Sequence, residues 1–216
     1  MLGNNTITSK KVKMKVGDSM NNEQTILQMA KENNGVVTTA QVVEAGILRG
    51  SLKHLVDIGL LEKSSRGVYT LPEAWDDEFL NTQVRYKKGI YALETALFLL
   101  ELTDRTPDKF RMTFPATYNL SNAKGNGIIC TRSKEAIYSL GVIDVRTPAG
   151  HRVKCYNTEK TLCDILVARN RVNIEIISTA FKMYAKQKDK DLDRLSAYAK
   201  LLKVENRVRA YMEVLL

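Results

Sequence analysis

The segment from Asn21 to Leu71 constrains the fold most, because helical and extended patterns follow one another there in a fixed order. Apolar residues at helical spacing predict a first helix over about 22–33, and Asn33-Asn34-Gly35 is a typical stop signal. Val36-Val37 then predicts a short extended piece. The segment therefore opens with a helix and a short strand.

Two further helices are marked by their ends. Thr38 and Gln41 have the spacing of a capping box, which predicts a short helix that ends before Gly46. A third helix is predicted over about 48–58, and Gly59 closes it. Only a tight turn separates the two helices.

A hairpin is predicted after the third helix. Leu60–Lys63 and Val68–Leu71 form its strands, and Ser64-Ser65-Arg66-Gly67 forms its turn. Helix, strand, helix, tight turn, helix and hairpin is the order of the winged helix-turn-helix, a fold that binds double-stranded DNA. We therefore predict a DNA-binding domain of this fold over 20–75, after a flexible leader over 1–19.

The outward face of the third helix is the predicted major-groove surface. At about 100° per residue the helix turns one apolar set inward, namely Leu48, Leu52, Leu55 and Val56. The outward side supplies the predicted DNA contacts, which are Arg49, Gly50, Ser51, Lys53 and His54. A glycine there allows the backbone to approach the groove closely. The alternative is a solvated helix face that contacts no partner.

The hairpin and the second helix supply further predicted contacts. Lys63 and Arg66 lie beside and within the turn, where a wing contacts phosphate or the minor groove. The backbone amides near Thr39 and Gln41, at the start of the second helix, are candidates to hold a phosphate. The alternative for the hairpin is an ordinary exposed turn.

Charge limits how this domain can bind DNA. The chain carries a net charge of +9, but residues 20–75 hold five Lys or Arg against six Asp or Glu, a net −1. DNA binding therefore requires that the few cations share one face.

Cys130, Cys155 and Cys163 lack paired or metal-ligand spacing and are predicted to be reduced thiols in a cytoplasm. No apolar run approaches the ~20 residues of a membrane span.

The rest of the chain is predicted to form a linker over 76–84 and a C-terminal domain over 85–216. Its strands are predicted at 110–114, 128–131, 141–146 and 151–156, and its main helices at 91–102, 158–166, 173–185, 192–202 and 204–215. The predicted fold class is thus α+β, with a winged helix-turn-helix followed by a mixed α/β domain that ends in several helices.

Glu159, Lys160 and Asp164 lie at the start of a predicted helix. They form either a polar functional site or an ordinary capped helix start. The second interpretation is favoured, because acidic residues commonly stabilise helix N-termini through the helix dipole.

Catalytic motifs are not evident, so no enzyme activity, metal or cofactor is predicted. HExxH, CxxC, P-loop and GxSxG patterns are lacking. Asp144 and Lys154 could be interpreted as a nuclease-like acid–lysine pair. Most proteins contain such a pair, so its presence does not indicate catalysis. Arg152, Lys154 and Tyr156 share one face of a predicted strand, which is either an auxiliary nucleic-acid surface or a solvated sheet face.

Several of these segments resemble one protein family. Gly46-Ile-Leu-Arg-Gly-Ser-Leu, Gly59-Leu-Leu-Glu and Arg66-Gly-Val-Tyr are similar to the N-terminal domain of abortive-infection antitoxins of the AbiEi type. Leu93-Glu-Thr-Ala-Leu and Tyr156-Asn-Thr-Glu-Lys-Thr-Leu-Cys-Asp164 resemble landmarks of the second domain of that family. The resemblance covers most of the chain from Asn21 onward.

The resemblance implies a bacterial cytoplasmic antitoxin of a type IV toxin–antitoxin system. In that family the N-terminal domain represses its own operon by binding inverted repeats in double-stranded operator DNA. The C-terminal domain counters a nucleotidyltransferase-like toxin without a stable complex, and the setting is abortive infection as antiviral defence. Two alternatives remain: a winged-helix regulator whose second domain senses a ligand, and a nucleic-acid enzyme that depends on Asp144.

Overall fold

A computed structural model describes residues 16–215, with side chains described from residue 22 onward. The chain divides into two compact units, and the boundary lies between Asp76 and Asp77. Most of the predicted leader over 1–19 lies outside the described residues. Its last four residues belong to the first helix, which begins at Val16 rather than near Asn22. The predicted fold class is correct: winged helix-turn-helix elements are followed by an α/β part that ends in helices.

The first unit contains three helices and a three-stranded sheet in the predicted order. Its elements are α1 (Val16–Glu32), β1 (Val36–Thr38), α2 (Thr39–Glu44), α3 (Gly50–Asp57), β2 (Glu62–Ser65) and β3 (Val68–Thr70). The antiparallel sheet has the order β1-β3-β2, so the hairpin is joined to the short strand that precedes α2. The capping box is confirmed, because the Thr38 side chain accepts from the Gln41 amide while the Gln41 side chain accepts from the Thr38 amide.

One apolar core holds the first unit together. Ile26 and Ala30 of α1, Val42 of α2, and Leu52 and Leu55 of α3 are almost fully buried in a single cluster. Burying a large aliphatic side chain stabilises a fold by about 1.5–3 kcal/mol, so these contacts fix the three helices against one another.

Two local predictions in this unit are wrong. Leu48 is 60% exposed rather than inward, because α3 begins at Gly50 and Leu48 lies in the preceding turn, outside the helical phase. The hairpin turn is Arg66-Gly67 alone, and Ser64 and Ser65 belong to β2. Gly67 has a φ of +84°, a conformation that glycine adopts without steric cost.

The second unit has a five-stranded mixed sheet and eight helices among the described residues. Its elements are α4 (Glu78–Arg85), β4 (Ile90–Tyr91), α5 (Leu93–Leu99), β5 (Arg111–Pro115), α6 (Ser121–Gly125), β6 (Ile129–Ser133), α7 (Glu135–Tyr138), β7 (Val142–Arg146), β8 (Arg152–Tyr156), α8 (Thr158–Leu166), α9 (Ile174–Lys186), α10 (Leu192–Leu201) and α11 (Glu205–Leu215). A short 3-10 turn, Ala168–Asn170, follows α8. The strand order is β6-β5-β4-β8-β7.

The strands pair in both senses, and the predicted hairpin is present. β7 and β8 are antiparallel, as are β4 and β5, whereas β4–β8 and β5–β6 are parallel. α8 follows the interior strand β8 and packs its buried Leu162 and Cys163 in one cluster with Phe181 and Tyr184 of α9. The C-terminal helices are thereby anchored to the sheet.

Three predictions for this unit are corrected. The segment predicted as a linker over 76–84 contains α4, and Asp77 caps that helix by accepting from the amides of Phe79 and Leu80 at 3.0 and 3.1 Å. The helix predicted over 91–102 is shorter, because Ile90 and Tyr91 pair in the sheet as β4. Tyr156 is fully buried, so it does not share an exposed face with its strand neighbours.

Candidate nucleic-acid interface

The outward face of α3 is held in place by the packing of its opposite face. Leu52 and Leu55 are at most 1% exposed, which fixes the rotation of the helix about its axis. Lys53, His54 and Asp57 are consequently exposed on the other side. α3 therefore presents a polar face with its apolar face immobilised, as a recognition helix requires.

The turn before α3 sets where that helix begins. Gly46 has a φ of +75°, and a Cβ built on it meets nothing within 4 Å among the described residues, so backbone conformation rather than space favours glycine. The buried Ile47 anchors the turn, and its amide donates to the Val42 carbonyl at 3.0 Å. Arg49 occupies the N-cap position of α3, is exposed, and makes no capping hydrogen bond through its side chain.

Gly50 and Ser51 form the first turn of α3. Gly50 is exposed, and a Cβ built on it meets no described heavy atom within 4 Å. Its φ lies outside the left-handed region, so nothing in the described fold requires glycine at this position. Ser51 is half-buried. The structure therefore leaves the backbone of Gly50 accessible to a close partner.

His54 differs from the other predicted contacts, because it has an acidic neighbour within the protein. Its Nε2 lies 3.5 Å from Oε1 of Glu23 on α1, and the His54 side chain remains 56% exposed. An approaching phosphate would have to compete with this carboxylate. His54 therefore contacts phosphate less favourably than a histidine without an acidic neighbour would.

The wing turn and the start of α2 lie next to each other. The Thr39 amide donates to the Gly67 carbonyl at 2.9 Å, and the Gln41 amide donates to Oγ1 of Thr38 at 3.3 Å. The Thr39 and Gln41 amides therefore already have acceptors within the protein, and a phosphate at the start of α2 would have to replace these hydrogen bonds. The phosphate contact there stays a prediction. Lys63 on β2 and Arg66 in the turn are exposed, as a contact role requires.

The polar residues at the start of α8 are both capped and buried. The Asn157 side chain accepts from the Lys160 amide at 3.0 Å, so the helix has the ordinary cap that the favoured interpretation predicts. Lys160 is nevertheless 2% exposed, and its Nζ lies 2.5 Å from Oδ2 of Asp164. Glu159 is also buried, and its Oε2 lies 3.7 Å from the Arg194 guanidinium. The helix start is therefore more than a solvated cap.

A buried Asp–His pair in the second unit has no local signal in the sequence. Nδ1 of His151 lies 2.7 Å from Oδ2 of Asp77, and Oγ1 of Thr147 donates to the same oxygen at 2.5 Å. Burial alone would raise the pKa of Asp77, but the hydrogen bonds from His151, Thr147 and the Leu80 amide hold it below its usual value. In the sequence Asp77 was predicted to lie in a linker, with no structural role.

The exposed strand face near residue 150 is partly as predicted. Arg152 and Lys154 are exposed on β8, and they stand opposite Arg146 and Asp144 of β7.

The cysteines are free thiols, and burial raises the pKa of Cys163 to about 12, which keeps this thiol protonated.

Metal-binding clusters and membrane-spanning helices are both lacking in the part of the chain that the structure describes. No group of three or more His, Cys, Asp or Glu side chains converges there in a way that would hold a metal ion. None of the described helices combines the length and apolar character needed to cross a membrane.

Comparison with known proteins supports the winged-helix interpretation. Residues 24–72 match the family model "Transcriptional regulator, AbiEi antitoxin", which confirms the resemblance for this segment. No curated protein matches the chain in sequence. The structure is similar to that of the RV2827C protein from Mycobacterium tuberculosis, with a TM-score of 0.52 and 18% identity over 88% of this chain and 79% of that one. At this identity the likeness shows a shared fold alone.

Proposed function

We propose that this protein is a DNA-binding transcriptional autorepressor whose α3 enters the major groove of its own operator. The observation that carries the proposal is the fixed, polar outward face of α3 in a segment that matches a family of antitoxin transcriptional regulators. Recognition helices of this fold contact base edges through residues near their N-terminus, where Arg49, Gly50 and Ser51 lie.

The contacts divide by position on the fold. Arg49 and Lys53 on α3 contact base edges or the adjacent phosphates, because both are exposed and make no ion pair with a described carboxylate. Lys63 and Arg66 on the wing contact phosphate or the minor groove. His54 contributes less, since Glu23 lies beside it.

The second part of the proposal concerns the role of the second unit. The family resemblance supports an antitoxin of the type IV kind, which counters a nucleotidyltransferase-like toxin in the bacterial cytoplasm without forming a stable complex. We propose no catalytic role, metal or cofactor for this activity. Inverted repeats in the promoter, each bound by one copy of the chain, are the proposed operator.

Binding to the upstream promoter, measured by fluorescence anisotropy with purified full-length protein, tests the first part. Arg49→Ala and Lys53→Ala should each weaken operator binding by about ten- to a hundredfold, since a good base contact is worth about 1–3 kcal/mol. Lys31→Ala is the matched control, because Lys31 is an exposed lysine at the end of α1 and not on α3. Unchanged affinity in both α3 variants would refute the assignment of α3.

Co-expression with the neighbouring gene tests the second part. A toxin encoded there should arrest growth alone and should be neutralised by this chain. Arg49→Ala should retain neutralisation while operator binding is weakened, because the two activities are assigned to different units. Failure of the wild-type chain to restore growth would overturn the antitoxin role and leave the DNA-binding result intact.

A further inference from the structure

The second unit contains a small polar cavity that DNA binding by α3 does not use. Its volume is about 130 Å³, and it lies beside the ends of the parallel strands β5 and β6, next to α8 and the 3-10 turn. The lining residues that matter here are Thr113, Thr131, Lys160, Asp164, Arg169 and Asn170. Hydrogen-bond donors and positive charges predominate among them.

The single carboxylate in this cavity is already neutralised. Nζ of Lys160 lies 2.5 Å from Oδ2 of Asp164 and 4.4 Å from the centroid of the Tyr156 ring. The side-chain amide of Asn170 donates to the backbone carbonyl of Asp164 at 2.7 Å, which links the 3-10 turn to α8. Desolvation of the two charges offsets most of their attraction, so a buried ion pair of this kind contributes little to stability. Stability alone therefore does not explain why Lys160 and Asp164 are present here.

Arg169 brings positive charge beyond what the one carboxylate balances. It lines the cavity from the 3-10 turn, and no acidic group among the described residues forms an ion pair with it within 4 Å. Arg132 contributes only backbone, because its side chain lies on the other face of the sheet and donates to the Tyr118 carbonyl there. A guanidinium has five N–H donors, which are available to a ligand at Arg169.

We propose that this cavity binds a small oxyanion, namely a phosphate group. Two cations, Lys160 and Arg169, against one paired carboxylate leave a net positive site, and a guanidinium matches the geometry of phosphate oxygens. Pockets for drug-sized ligands measure about 300–1,000 Å³, so a cavity of about 130 Å³ admits the phosphate alone and leaves any attached nucleoside outside.

The phosphate has two possible sources, which share this chemistry. It is either free inorganic phosphate or the terminal phosphate of a nucleotide or a nucleic-acid end. The inference goes beyond operator binding by α3 and does not depend on it, because the site lies wholly within the second unit.

Isothermal titration calorimetry on the full-length protein tests the proposal. Potassium phosphate should bind saturably, whereas potassium chloride at equal ionic strength should not. Arg169→Gln should weaken phosphate binding by about tenfold or more, since a hydrogen bond to a charged group is worth about 1.5–3 kcal/mol. Arg169 is exposed, so this variant is expected to fold. Arg152→Gln, an exposed arginine on β8 outside the cavity, is the matched control.

A second variant changes the affinity in the opposite direction. Asp164→Asn should bind phosphate more tightly, because it removes the negative charge and releases the Lys160 ammonium for the ligand. Adenosine 5′-monophosphate, adenosine and an oligonucleotide with and without a 5′-phosphate distinguish the two sources. Tighter binding of the phosphorylated molecules indicates an attached phosphate, and tightest binding of inorganic phosphate indicates a free one. Absence of saturable binding, or equal affinity in wild type and Arg169→Gln, would overturn the proposal.

Discussion

Replacement of Asp77 by alanine should open the second unit locally, because this carboxylate joins α4 to the β7–β8 hairpin. Its Oδ1 caps α4 through two amides, and its Oδ2 contacts His151 and Thr147. Loss of an N-cap costs about 1 kcal/mol. Removal of one partner from a buried hydrogen bond costs about 1–3 kcal/mol, because the other partner is left unsatisfied. We therefore expect a loss of roughly 2–4 kcal/mol in the local free energy of opening.

Hydrogen exchange followed by mass spectrometry is the suitable assay, since it reports α4 and the hairpin separately from the first unit. Peptides that cover 78–85 and 142–156 should exchange faster in Asp77→Ala, and peptides from α1 and α3 should not change. Asp144→Ala is the matched control, because Asp144 is an exposed aspartate on β7. Equal protection in wild type and Asp77→Ala would refute the argument that this contact holds the hairpin.

The same contact has a predicted pH dependence. The pKa of Asp77 is lowered in the folded state, so its contribution is fully present above the ordinary carboxyl range and is lost as the pH falls through the lowered pKa. Asp77→Asn removes this titration, and its protection should therefore vary less with acid pH than that of wild type. A wild-type protein whose hairpin protection is as insensitive to acid as that of the variant would contradict the lowered pKa.

Three further substitutions test other parts of the molecule. Gly50→Ala should stabilise the first unit by about 0.5–1 kcal/mol in urea denaturation yet weaken operator binding, because the added Cβ meets no described atom of the protein but obstructs a close DNA backbone. Arg66→Ala should weaken binding to all sequences alike and reduce the slope of log affinity against log salt by about one, as expected for a phosphate contact. Gly141→Ala should destabilise the second unit by about 1–3 kcal/mol in urea, because φ is +67° and the new Cβ would lie 2.7 Å from Oδ1 of Asn157, the cap of α8. Gly125→Ala, where the same change meets nothing, should leave stability unchanged or raised.

Local signals in the sequence account for most of the first unit. The Thr38–Gln41 capping box and the glycines at 46, 59 and 67 mark element ends through interactions within a few residues, so they are visible without the fold. Leu48 was misplaced because its apolar character suggests burial, while the helix begins two residues later. The orientation of α3 was predictable, but the pairing of His54 with Glu23 on another helix was not.

Long-range pairing explains what the sequence did not show in the second unit. Tyr91 was predicted to begin a helix, and only its partners on β5 and β8 make it part of a strand. Asp77 and His151 are 74 residues apart, and Thr131 and Arg169 approach one cavity from a strand and a 3-10 turn. No spacing rule connects such residues. Lys160 and Asp164 were predicted to lie at a helix start, but their ion pair and their burial depend on the packed helices around them.

The division of charge between the two units has a consequence for DNA binding. The first unit carries almost no net charge beyond the leader, whereas residues 77–216 hold 24 Lys or Arg against 16 Asp or Glu, a net +8. Long-range attraction to a polyanion follows net charge, while sequence preference follows the few side chains that contact base edges. The two properties are therefore separable. Charge reversal at exposed lysines of α9 such as Lys182 and Lys186 should slow association and flatten its salt dependence, whereas Arg49→Ala should reduce the preference for operator over random DNA. If the charge-reversal variants of α9 lost as much preference for the operator as Arg49→Ala, the second unit itself would contact the operator.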